Sequence, residues 1–145
     1  MIRELEMNEC ADQFVGDTLH RGLSGGETKR LCIGIELISN PTILFLDEPT
    51  TGLDVHSAEN VMRLLKRQTQ TGRIVITTIH QPSSEIFELF NYLMILHEGQ
   101  NMYYGKAENI VEYFAKKGFD MPQYNNPADF FLSVMTSLSS GENSK

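Results

Sequence analysis

Ile43-Leu44-Phe45-Leu46-Asp47-Glu48 is a short apolar run that ends in two adjacent carboxylates, and Ile74-Val75-Ile76-Thr77-Thr78-Ile79 is a second such run, followed by His80. Unbroken apolar and β-branched runs of this length read as strands buried on both faces of a parallel sheet. Between them, Val55 to Gln70 places Val55, Ala58, Met62 and Leu65 on one helical stripe, with Gly72 just beyond its end. A strand over Thr42 to Leu46, this helix, and a strand over Ile74 to Ile79 form a βαβ unit, hence an α/β fold built on a parallel sheet.

Working outward, Glu27 to Ser39 sets Leu31, Gly34, Ile35 and Ile38 at helical spacing, and Asn40-Pro41 stops that helix. Ile2, Leu5, Cys10, Ala11 and Phe14 predict a helix over Ile2 to Val15, broken near Asn8, with a loop through Gly16 and Gly22. Downstream, a short helix is expected near Ser84 to Phe90. Leu93 to Leu96 and Met102 to Tyr104 flank Glu98-Gly99-Gln100 as a hairpin at the sheet edge. Helices over Glu108 to Lys117 and Pro127 to Met135 close the globular part, and Ser139 to Lys145 reads as a mobile linker.

The formal charge of −7 argues against a broad electrostatic footprint on nucleic acid or anionic lipid, although a small phosphate held by backbone amides needs no net positive charge. Cys10 and Cys32 show neither CxxC spacing nor a disulfide framework, which fits a reducing, cytosolic setting. The longest apolar stretches, Ile43 to Leu46 and Tyr92 to Leu96, are far short of the ~20 residues that a spanning helix needs. The charged opening Met1-Ile2-Arg3-Glu4-Leu5-Glu6 does not read as a signal peptide. Any membrane role is therefore expected to come from a partner or from further sequence.

Three constellations carry chemistry. In Leu23-Ser24-Gly25-Gly26-Glu27, Ser24 and Glu27 have the spacing of a capping box. Gly25 and Gly26 would leave amides open to an anion at the positive end of the helix dipole. The same residues also read as an ordinary capped helix start. Asp47 and Glu48 stand at the C-terminal end of a strand, where α/β sheets place their ligand crevices. Successive strand residues point to opposite faces, so the two acids suit separate jobs rather than one shared proton. One could serve a hydrated Mg²⁺ and the other orient or deprotonate an attacking water; the plainer reading is two acids solvating a strand end. His80 lies on the same rim if the sheet is parallel, whereas His20, His56 and His97 read as ordinary polar residues.

Taken together, these segments resemble the ATP-binding-cassette (ABC) family. Leu23-Ser24-Gly25-Gly26-Glu27 is similar to its signature motif, Ile43 to Glu48 to its Walker B strand, Thr51-Gly52-Leu53-Asp54 to its D-loop, and His80 to its switch histidine. Thr78-Ile79-His80-Gln81-Pro82-Ser83-Ser84-Glu85-Ile86-Phe87 and Asn126-Pro127-Ala128-Asp129-Phe130 resemble the G subfamily (White-type) of exporters. Asn126 as N-cap, Pro127 as first helical residue and Asp129 in the first turn also make a sound helix start without any catalytic role.

The resemblance implies a partial P-loop NTPase (ABC-type) domain over 1–136 and a flexible tail toward a membrane domain over 137–145. It implies ATP and Mg²⁺ as cofactors, a second ABC nucleotide-binding domain (identical or not) and a transmembrane domain as partners, no nucleic acid, and a place at the cytosolic face of a membrane. Ser24, Gly25 and Gly26 would meet the γ-phosphate of nucleotide held by the opposite domain, with Glu27 counted in the same nucleotide-binding segment as the residue that completes its capping box. Asp47 would hold the Mg²⁺ shell, Glu48 would polarise the attacking water, His80 would contact the γ-phosphate, and Asp54 would couple the two sites at the dimer seam.

The chain departs from the family pattern in one large respect. No G-x-x-x-x-G-K-[ST] occurs in it, and the adenine-stacking and Q-loop regions are absent too. Glu27 stands where many members carry Gln, and Asn91 where relatives often have Asp. The expectation is a C-terminal portion of the domain that by itself neither binds ATP tightly nor hydrolyses it, with strand edges exposed where a P-loop strand normally pairs. Two alternatives are a non-catalytic interaction fragment that pairs with an intact ABC domain, and a soluble ABC ATPase. The latter predicts coiled-coil heptads or basic arms, and neither is visible.

Overall fold

A computed structural model describes residues 1–16, 20, 22–123 and 125–139, so most of the expected tail lies outside the described residues. The chain divides into two compact units, Met1–His80 and Gln81–Lys145.

The first unit contains α1 (Gly25–Ile38), β1 (Ile43–Leu46), α2 (Val55–Gln70) and β2 (Ile74–Thr77). The expected parallel pairing is present, with Ile43 opposite Ile74 and Leu46 opposite Thr77. α2 forms because Asp54 caps its first turn and its apolar residues recur at helical spacing. Ala58, Val61, Met62, Leu64 and Leu65 are buried, but Val55, expected on that stripe, is 69% exposed. Arg73 braces the other end of the βαβ unit: its guanidinium donates to Asn40 Oδ1 (2.6 Å), Pro41 O (3.2 Å), Gln68 Oε1 (3.0 Å) and Thr71 Oγ1 (2.8 Å).

Several expectations for this unit are corrected. Ile2 to Val15 is not an α-helix: it runs as turns with a single 3₁₀ turn at Asn8–Cys10, and Glu6 sits at φ 56°, a left-handed conformation that interrupts a right-handed helix. On α1 the buried residues are Gly26, Ile33, Gly34 and Leu37, while Ile35 and Ile38 face out at 56% and 68% exposure. Leu5 crosses α1 so closely at Gly34 that a Cβ there would come within 2.4 Å of its Cδ1, which fixes the inward face. The strands are not buried on both faces either. Leu44 is buried, but Ile43, Phe45, Ile74 and Ile76 remain between 46% and 75% exposed, because within this unit helical cover lies on one side of the sheet only.

The second unit holds α3 (Ser84–Phe87), β3 (Tyr92–His97), β4 (Gln100–Lys106), α4 (Ile110–Ala115) and α5 (Pro127–Ser139). α3 is shorter than expected, and the helix expected from Glu108 opens instead as a 3₁₀ turn at Ala107–Asn109. The hairpin turns on Glu98 (φ 48°) and Gly99 (φ 75°), the paired positive angles of a two-residue turn whose twist suits antiparallel strands. It forms its own two-stranded sheet rather than an edge of the parallel one. Tyr103, Ile110, Phe114, Phe131, Val134 and Met135 form the core, with Phe114 and Phe131 stacked at 4.8 Å. Asn126 caps α5, accepting from the Ala128 amide at 2.9 Å, and its own Nδ2 donates to Pro82 O at 3.0 Å.

Candidate functional site

The candidate site is the end of the first unit where β1 and β2 finish and α1 and α2 begin. Ser24 opens α1 with both arms of a capping box: its N–H donates to Glu27 Oε2 (2.8 Å), and the Glu27 N–H donates to Ser24 Oγ (3.3 Å). The Ser24 hydroxyl also donates to Glu27 Oε2 at 2.7 Å. These bonds, the backbone one foremost, hold the Glu27 carboxyl below its ordinary pKa. Cys10 lies beside it, and burial first, then the Glu27 charge, push the Cys10 thiol up.

The two glycines do a job that spacing alone does not show. Gly26 is buried, and a Cβ there would meet Ser57 Cβ at 3.0 Å; one at Gly25 would meet Leu53 Cδ2 at 3.3 Å. Gly26 therefore serves first to let α1 approach the start of α2. The amides of Gly25 and Gly26 still make no hydrogen bond among the described residues, as expected of a helix's first turn. Asp54 lies at the same junction, accepting the Ser57 N–H at 3.0 Å, and its contacts with Ser57 hold its carboxyl below the ordinary value.

At the strand ends, Asp47 and Glu48 are both exposed, and their carboxylates take different partners. The Thr78 hydroxyl donates to Asp47 Oδ1 at 2.6 Å and accepts the Glu48 N–H at 2.9 Å. The Thr51 hydroxyl donates to Glu48 Oε2 at 2.8 Å, and the Thr51 N–H donates to Glu48 O at 3.1 Å. Glu48 adopts φ 44°, so it turns the chain sharply from the strand into the Thr51–Asp54 segment. His80 is exposed and lies three residues beyond the end of β2, past the Thr78 step that continues the ladder. Among the described residues no three His, Cys, Asp or Glu side chains converge as a metal cage.

The structure thus gathers Ser24, Gly25, Gly26, Glu27 and Asp54 at the helix starts, and Asp47, Glu48 and His80 along the strand ends. Sequence reasoning missed Thr78, Thr51 and Ser57 as the side chains that hold this arrangement. Thr78 lies inside a β-branched run and reads there as a strand former; its signal is its register opposite the acidic pair.

A family profile described as an ABC transporter matches residues 1–51, and one described as an ABC-2 type transporter matches residues 80–145. The chain is similar to the broad substrate specificity ATP-binding cassette transporter ABCG2 of Rattus norvegicus, 52% identical over 97% of this chain and 21% of that one. It is also similar to ABC transporter G family member 14 of Arabidopsis thaliana, 46% identical over 95% of this chain and 21% of that one. The chain thus spans about a fifth of the length of these relatives. A solved nucleotide-free ATP-binding cassette from an ABC transporter superposes with a TM-score of 0.66 at 21% identity, over 79% of this chain and 43% of that one. That likeness identifies the fold as the ABC-type ATPase fold.

Proposed function

Because this chain belongs to the ATP-binding-cassette transporter family, in its G subfamily, we propose that it supplies part of the ATP-hydrolysing site of a membrane exporter. The observation that carries the proposal is the pair of parallel strands whose ends lead into Asp47 and Glu48 on one side and toward His80 on the other, in a unit where the first turns of α1 and α2 also meet.

The residues fit Mg²⁺ and a nucleotide's terminal phosphates. Mg²⁺ keeps several waters and binds through one or two carboxylates plus phosphate oxygens, so it needs no protein cage. Asp47 suits this: one oxygen accepts from Thr78, and the other makes no hydrogen bond among the described residues. Bound Mg²⁺-ATP would supply the scissile phosphoryl group and the charge that offsets its oxygens. Glu48, turned out of the strand line and steadied by Thr51, would be the base that orients the water, and His80 would donate to a phosphate oxygen.

Ser24 spends its hydroxyl proton on Glu27, so this segment meets an anion best through the amides of Gly25 and Gly26, which make no hydrogen bond among the described residues. Asp54, by capping α2, fixes how the signature segment sits on its neighbour.

No P-loop sequence lies in these 145 residues, so the grip on the β- and γ-phosphates comes from another segment or domain. The chain by itself neither binds Mg²⁺-ATP tightly nor hydrolyses it. Within the complete transporter it works against a second nucleotide-binding domain at the cytosolic face, coupled to a transmembrane domain. Glu48→Gln in the complete transporter is expected to lower ATP turnover about a hundredfold or more, and unchanged turnover would remove Glu48 from the reaction. Titration of the separate chain with Mg²⁺-ATP should show no micromolar binding; if it does, the chain carries a phosphate grip of its own.

A further inference from the structure

We infer that Thr78 is a positioning residue for hydrolysis, its hydroxyl setting Asp47 and Glu48 at a fixed spacing from the opposite strand. The inference rests on the reading of Asp47 and Glu48 given above. A threonine hydroxyl has one proton to donate and lone pairs to accept with. Thr78 uses the proton on Asp47 Oδ1 (2.6 Å) and a lone pair on the Glu48 N–H (2.9 Å). The first contact is short, as charge-assisted O–H···O⁻ bonds are.

Its backbone is fixed as well, because the Thr78 N–H donates to Leu46 O at 3.1 Å and extends the parallel ladder one step beyond β2. The hydroxyl is thus carried to the acidic pair by sheet register rather than by a mobile loop. Glu48 needs such support. A residue with a Cβ at φ 44° occupies a sparsely populated conformation, which persists where several contacts determine it together. Thr51 holds the Glu48 side chain and carbonyl from three residues away on the same segment, whereas Thr78 holds its amide from across the sheet. Asp47 and Glu48 both lie just past β1, and one hydroxyl that meets the Asp47 carboxylate and the Glu48 amide ties the metal-facing acid to the backbone that carries the water-facing one.

Thr78→Val keeps the β-branched shape and strand preference but loses both bonds; Thr78→Ser keeps the hydroxyl. In the complete transporter, Thr78→Val is expected to lower kcat about tenfold or more with the KM for ATP changed less than about twofold, and Thr78→Ser to stay within about threefold of the parent. In the chain itself, hydrogen exchange at the Glu48 amide should accelerate in Thr78→Val and not in Thr78→Ser, which keeps the inference testable if the valine variant of the transporter does not assemble. Parent-like kcat in Thr78→Val, equal impairment in both variants, or unchanged Glu48 exchange overturns it. Glu48→Gln separates the two claims: full turnover in that variant overturns the role of Glu48, while the exchange measurement judges the Thr78 bridge independently.

Discussion

Ser24→Ala tests whether the signature segment is held by its capping box. The substitution removes two bonds of unequal worth. The hydroxyl no longer accepts the Glu27 N–H, a long contact at 3.3 Å, nor donates to the Glu27 carboxylate, a short one at 2.7 Å. The backbone arm, Ser24 N–H to Glu27 Oε2 at 2.8 Å, survives. Loss of a serine N-cap costs roughly 0.5–2 kcal/mol, and with one arm of the box intact the middle of that range, about 1 kcal/mol, is expected at neutral pH. With a urea slope near 1.5 kcal/mol/M, that is a fall of about 0.7 M in the unfolding midpoint at unchanged slope. The effect depends on pH with a definite sign. The folded pKa of Glu27 is lowered from its ordinary 4.5, so its contribution is fully present above that value and is lost as pH falls through the lower, folded one. The gap between Ser24→Ala and parent should therefore be widest at neutral pH and narrow in acid. An unchanged midpoint at pH 7, or a gap that widens in acid, would refute this account of the cap.

Three further outcomes follow from the geometry. Gly26→Ala forces a Cβ to 3.0 Å from Ser57 Cβ, an atom that no rotamer change can move; overpacking of about 1–3 kcal/mol outweighs a helix-propensity gain of at most ~1, so thermal melts should show net destabilisation. Asp54→Ala unpairs the Ser57 N–H, so amide exchange at the start of α2 should quicken. In the parent, the same exchange should quicken as pH falls through the depressed Asp54 value, once the intrinsic pH dependence of exchange is removed. Phe131→Ala removes a ring that is 2% exposed and stacked on Phe114, and denaturation of the chain should report a loss of about 3–5 kcal/mol.

The βαβ unit was legible because its signals agree. An apolar run and a β-branched run bracket a helix whose apolar spacing is sound apart from Val55, and Gly72 and the parallel register appear where that pattern requires them. The faces of the elements were less legible. α1 carries apolar residues on both sides, so periodicity grouped Leu31, Gly34, Ile35 and Ile38, of which only Gly34 belongs to the buried set of Gly26, Ile33, Gly34 and Leu37; the approach of Leu5 decides it. The segment before α1 misled for a related reason, since its apolar spacing permits a helix that the left-handed Glu6 interrupts. At the site, the acids and the capping box stood out as residues, but each also has a plain structural use, as a helix start or as acids solvating a strand end, and only their order along the chain pointed beyond that. Thr78 and Ser57 did not stand out, because a hydroxyl's role depends on what lies across the fold from it, and the local sequence holds no record of that.

Arg73 gives the first unit a property that the rim alone would not have. By clasping Asn40, Pro41, Gln68 and Thr71, it anchors the two strands where they enter the sheet, at the opposite end from Asp47. A slide of one residue between the strands would shift partners by about 3.3 Å and turn every side chain to the wrong side. The guanidinium thus acts as the zero mark of a ruler read at its far tip: damage at this remote, solvent-facing corner would surface as a mismeasured distance between the two acids and the threonine opposite them.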